Sequence, residues 1–147
     1  MEGGSASLLG LVLGLQTVAQ ILVLPFGGVI ADKFGRVKVL ALADLIGGSV
    51  MVYQSIRFVG GHPPVWVLFF AQITFGFTMA LFWPSFGGLM PAIIEEKDLQ
   101  KANSTLQFVA NLAIILGTAV GGFIVATLGS TLALFIDAFT YLVCGAV

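Results

Sequence analysis

Five long apolar stretches divide the chain, roughly residues 7–31, 39–56, 65–94, 105–128 and 131–147. None shows the alternation of about ten residues, apolar then polar, that marks a strand of a membrane barrel. A helix satisfies its backbone hydrogen bonds within one segment, which is what hydrocarbon demands. About 20 residues rising 1.5 Å each cross roughly 30 Å of it. The pattern therefore predicts an all-α membrane protein of five transmembrane helices, with no extramembrane domain. The third stretch is long enough to tilt or to extend past the bilayer. The first lacks a basic n-region and is too long for the apolar part of a signal peptide. The fifth ends with the chain, and nothing in its own sequence stops it there, so the chain is expected to be cut at this end.

The linkers carry the charge. Residues 32–38 read Asp-Lys-Phe-Gly-Arg-Val-Lys, residues 60–64 Gly-Gly-His-Pro-Pro, residues 95–101 Glu-Glu-Lys-Asp-Leu-Gln-Lys, and Gly129-Ser130 makes the last turn. Five of the six basic residues, Lys33, Arg36, Lys38, Lys97 and Lys101, lie in the first and third linkers, and Arg57 alone lies towards the others. The positive-inside rule then places the first and third linkers in the cytoplasm, the N-terminus outside and the C-terminus inside. Composition agrees: 59% of residues are hydrophobic and 9% charged, against about 25% charged in a soluble domain. A net charge of −1 offers no basic footprint for nucleic acid. Cys144 is the only cysteine and His62 the only histidine, so neither a disulfide nor a histidine–cysteine metal cluster is expected. No Ser/His/Asp set suggests an enzyme, and no cofactor is implied.

Several residues inside the stretches are not grease. Paired glycines occur at 27–28, 47–48, 87–88 and 121–122, and Gly10/Gly14 and Gly117/Gly121 are spaced for close helix packing. Pro25, Pro84 and Pro91 are expected to kink their helices. Asp44 and Asp137 lie at membrane depth, where an ionisable group is costly and faces a bundle interior or a watery cavity. Each is open to two readings: a hydrogen-bonding link between helices, or a proton or substrate site. Gln16, Gln20, Gln54, Gln72, Gln107 and Asn111 add groups that either line a cavity or link helices.

An internal repeat relates the two acids. Residues 27–35 align with residues 121–129, sharing both glycines of the pair, an isoleucine and the closing glycine. Each stretch closes a helix on opposite faces of the membrane, and Asp44 and Asp137 follow Gly35 and Gly129 by nine and eight residues. That is the topology of an inverted repeat, a feature of transporters.

Residues 28–40, Gly-Val-Ile-Ala-Asp-Lys-Phe-Gly-Arg-Val-Lys-Val-Leu, closely resemble the signature between helices 2 and 3 of the major facilitator superfamily. Ile30 and Lys33 are conservative departures, and Val37 stands in place of a base. Residues 82–85 with 89–91, and residues 99–104, are similar to the end of helix 4 and the approach to helix 5 in drug- and siderophore-exporter-like members. Residues 117–122 resemble the glycine-rich motif of helix 5 in antiporters, with Thr118 in place of its proline, and residues 137–142 resemble helix 6. Gln72 stands four residues before Gly76, where many proton-coupled members carry arginine. The resemblance implies most of an N-terminal six-helix bundle, helices 2 to 6, in a prokaryotic inner membrane. Helix 1 and the C-terminal bundle of the same transporter, the lipid bilayer and a small-molecule substrate are the implied partners. Function would be export of small amphipathic compounds by alternating access, driven by protons. The alternative is a membrane interaction or scaffold protein with a truncated transporter fold. Gly28, Asp32, Lys33, Gly35 and Arg36 are then expected to gate, and Gly117, Gly121 and Gly122 to pack helices. Asp137, Asp44, Gln72 and Asn111 are the candidate proton or substrate site.

Overall fold

The computed structural model describes residues 6–61 and 63–147. His62, expected in an outer loop, lies outside the described residues. Five helices follow in order: α1 (Ala6–Phe34), α2 (Arg36–Val59), α3 (Val65–Ile93), α4 (Leu99–Leu128) and α5 (Ser130–Ala146), with one 3-10 turn (Glu96–Asp98) before α4. Helices α1 to α4 are each long and apolar enough to cross a membrane, and α5 is a shorter apolar helix of 17 residues. Helices α1 and α3 continue as single helices through Pro25, Pro84 and Pro91.

Two of the breaks are single glycines. Gly35 has φ 93° and Gly129 φ 86°, a region that L side chains with a Cβ rarely enter. Both turns are built alike. The amide of Gly35 donates to Ala31 O at 3.0 Å and that of Gly129 to Val125 O at 3.1 Å. The amides of Val39 and Ala133 then return to Gly35 O and Gly129 O. The closing glycine of the sequence repeat is thus the same turn made twice.

The helices form a row. Helix α1 packs along α3, α3 against α2, α2 along α5, and α5 against α4. Helix α4 touches α5 and has no buried residue, and it makes no extensive contact with α1 or α3. Small residues fill the contacts: Ala31, Ala43, Ala71, Ala80 and Ala138 are all buried, whereas Phe26, Val29, Phe108 and Phe123 point outward. Lipid tails are as apolar as these side chains, so helices associate in a membrane through close backbone approach and polar links. Two close contacts fix α1 to α3, and a third ties the start of α2 to α3. Gly76 lies against the Gln16–Gln20 turn, where an added Cβ would come 2.8 Å from Ala19 Cβ. Gly27 lies against the carbonyl of Ala80, with Pro84 beside it. The third joins Arg36 to Gly88. On the other seam, Gly48 faces Leu142 and Tyr141, and Gly145 faces Ala41 and Leu45.

The close approach falls at Gly27 and not at Gly28, which faces open space. Gly10, Gly14, Gly117, Gly121 and Gly122 also meet nothing within 4 Å. Among the described residues no helix packs against the last three, because α4 lies at the end of the row. Buried hydroxyls satisfy themselves on their own helices: Ser55 donates to Met51 O, Ser85 to Leu81 O and Thr78 to Phe75 O.

Candidate functional site

The linker from α1 to α2 carries a three-way contact. Arg36 opens α2, one residue beyond the Gly35 turn, and reaches back to Asp32 in the last turn of α1. Its Nη2 and Nε donate to Asp32 Oδ1 at 2.9 and 3.2 Å. Its Nη1 donates to the carbonyl of Gly88 on α3. A Cβ at Gly88 would fall on the guanidinium, so a side chain there would displace Arg36 from this position. One cation therefore ties the start of α2 to α1 and to α3. The i,i+4 pair with Asp32 is exposed and contributes about 0.3–0.5 kcal/mol. The partly buried charged bond to Gly88 contributes about 1.5–3 kcal/mol, so it is the stronger tie. Lys33 lies with its ammonium 5.5 Å from the ring centre of its neighbour Phe34.

Several of the polar residues within the helices, though not Gln16, Gln20 or Gln72, fall along three hollows. One of about 240 Å³ lies between α2, α3 and α5 and is lined by Asp44, Met79, Phe82, Thr140, Tyr141 and Cys144. A second of about 610 Å³ lies between α2, α4 and α5, with Gln54, Gly117, Gly121, Asp137 and Thr140 on its walls. A third of about 540 Å³ separates α3 from α4, with Phe82, Trp83, Asn103, Gln107 and Asn111. Thr140 is shared by the first and second, and Phe82 by the first and third. The three form one trough along one side of the row.

The structure thus brings Asp44, Asp137 and Asn111 to one trough but not to one point. Asp44 and Asp137 line different hollows, with Thr140 between them. Gln72 lines none of the three and sits one turn before Gly76, beside the α1 contact. Tyr141 packs edge-on against Phe75, ring centres 6.0 Å apart, and holds α5 to α3 across the Gly47 gap. Among the described residues no group of three or more His, Cys, Asp or Glu is arranged to hold a metal ion.

The Major Facilitator Superfamily profile matches residues 3–147. The chain belongs to this superfamily. It is 27% identical over 132 residues to an uncharacterized MFS-type transporter, YkuC, of Bacillus subtilis, covering 89% of this chain and 30% of the relative. It is 28% identical over 121 residues to another, YqjV, of the same organism, covering 82% and 28%. It is 31% identical over 121 residues to the quinolone resistance protein NorA of Staphylococcus aureus, covering 82% and 30%. The chain spans less than a third of the length of these relatives. No solved structure gives a significant match.

Membership of this superfamily, with four helices long and apolar enough to span a bilayer, places the chain in a membrane. The partner of Arg36 across the bundle, the Gly88 carbonyl, was not evident from the sequence. The one signal was the Gly87-Gly88 pair shortly before Pro91, a place where a helix backbone is left bare.

Proposed function

We propose that this chain forms helices 2 to 6 of the N-terminal bundle of a transporter that exports small amphipathic molecules by alternating access. The observation that supports it best is the trough. The acids Asp44 and Asp137 and the amide of Asn111 lie along one side of the helix row, where substrate or protons would pass. The trough is open because α4 and α3 stand apart. A first helix of the same transporter would fill part of it, and a C-terminal bundle would close it from the other side. Rocking of one bundle against the other around a midplane site is the movement that such architectures use. The resistance protein among the relatives supports export of amphipathic compounds.

In this reading the first and third linkers face the cytoplasm of a prokaryotic inner membrane. Gly28, Asp32, Lys33, Gly35 and Arg36 form the gating linker. Arg36 fixes that linker to α3, leaving Asp32 at the bundle surface, where a second bundle would meet it in one of the two states. Proton antiport would use Asp137, with Asp44 as the second candidate and Gln72 and Asn111 nearby on α3 and α4.

The test is efflux of a fluorescent amphipathic dye from cells making the whole protein that contains this chain. Wild type should lower cellular dye, and Asp32→Asn should cut efflux while membrane insertion is unchanged. A membrane scaffold would insert equally well and move no dye. Undiminished efflux by Asp32→Asn would remove the gating role.

A further inference from the structure

On the opposite side of the row lies a crevice that the transport reading does not use. It has a volume of about 480 Å³ and lies between α1, α2 and α3, lined by Ile30, Phe34, Lys38, Leu42, Ile46 and Phe77 among others. Leu42 and Ile46 stand two residues either side of Asp44, and Phe77 two before Met79. At 3.6 residues per turn each lies on the far side of its helix from the trough. The crevice therefore opens where the row meets lipid.

Its shape follows one leaflet. Lys38 stands at its mouth, in the first turn of α2, and Ile46 at its inner end. Eight residues at 1.5 Å give about 12 Å, against about 15 Å for half of the hydrocarbon thickness. Below the lysine the walls are apolar. Phe34, 60% exposed, forms one wall, and the ammonium of Lys33 lies 5.5 Å from its ring centre. Of the three cations in the linker, Arg36 is taken up by Asp32 and the Gly88 carbonyl. Lys33 and Lys38 form no ion pair among the described residues. One uncompensated ammonium, that of Lys38, thus lines an apolar slot about one leaflet deep, and a second, that of Lys33, lies beside its Phe34 wall.

We propose that this crevice binds an anionic phospholipid of the leaflet that the first linker faces, one acyl chain lying along Phe34, Leu42, Ile46 and Phe77 and the phosphate held by Lys38 and Lys33. Basic pockets between helices at a membrane surface recognise such headgroups, each cation near the surface strengthening binding about five-fold. The inference requires only that the chain spans a bilayer, and it stands or falls apart from export.

The full 147-residue chain is released into the gas phase from micelles holding equal amounts of phosphatidylglycerol and phosphatidylcholine, and the lipid it retains is weighed. Wild type should keep phosphatidylglycerol in preference. Lys38→Gln and Lys33→Gln should each reduce that preference about five-fold. Lys97→Gln should not, because Lys97 is already paired with Glu95 at 2.6 Å. Leu42→Trp fills the slot at an exposed position and should lower retention of both lipids. A double lysine variant with undiminished preference, an equal loss in Lys97→Gln, or full retention by Leu42→Trp would each overturn the site.

Discussion

Neighbouring glycines in α1 should respond to the same substitution with opposite sign. A methyl at position 28 meets nothing within 4 Å. Gly28→Ala then gains only the helix preference of alanine, up to about 1 kcal/mol. A methyl at position 27 would press into the Ala80 carbonyl and lie 3.2 Å from Pro84 Cγ. That carbonyl faces α1 with no helical partner, because Pro84 has no N–H to return to it. Neither obstacle is the free end of a flexible side chain, so α1 and α3 must move apart. Overpacking of this kind costs about 1–3 kcal/mol, against the same gain of about 1 kcal/mol in preference. Gly27→Ala should therefore be less stable than Gly28→Ala by about 1–3 kcal/mol. Reversible unfolding in mixed micelles, followed by helical circular dichroism as denaturing detergent is added, measures the difference. Equal midpoints for the two variants, or a more stable Gly27→Ala, would falsify the α1–α3 seam.

Further outcomes follow from the linker and the trough. Gly88→Val should drive Arg36 off α3 and speed tryptic cleavage after Arg36 in proteoliposomes, whereas Gly87→Val, whose side chain meets open space, should not; equal cleavage rates would deny the contact. Single cysteines at positions 38 and 101 in a Cys144→Ser background should resist an impermeant reagent in intact cells, and one at position 61 should react. Reaction at 38 or 101 reverses the orientation. In proteoliposomes of the whole transporter, Asp137→Asn should abolish substrate-induced proton movement. Transport with proton movement intact would leave Asp137 a structural hydrogen-bonding residue.

Much of the fold was legible because a bilayer leaves the backbone few choices. Apolar runs longer than about 17 residues with glycine and charge between them can form little but spanning helices. The Gly35 turn and the Asp32–Arg36 pair were legible for a similar reason: both are local, within one turn of chain. Partners across the bundle were not. Nothing in the spacing of Gly27 and Gly28 says which of them faces α3, since that depends on the rotation of α1 about its axis. Gln72 was grouped with Asp137 on residue type and depth, and it lines none of the three hollows. Depth alone placed Asp44 and Asp137 as equivalents, and the structure sets them in separate hollows joined at Thr140.

Exposure carries opposite lessons for apolar and polar groups in this chain. Phe108 and Phe123 are each 69% exposed on α4, yet lipid solvates them as well as protein would, so they call for no partner. Asn103, Gln107 and Asn111 are exposed too and line the gap between α3 and α4. Their spacing of four puts them on one stripe of the helix. Left in hydrocarbon, each amide would lack hydrogen-bond partners at a cost of about 1–3 kcal/mol. Farther along α4, Gly117 and Gly121 line the next hollow with no neighbour against them. The polar stripe suits water or hydrogen-bonding side chains, and the bare glycine pair suits a closely packed helix. The inward side of this row is thus identified by the groups that lipid cannot satisfy, and they are the groups that share the trough with Asp44 and Asp137.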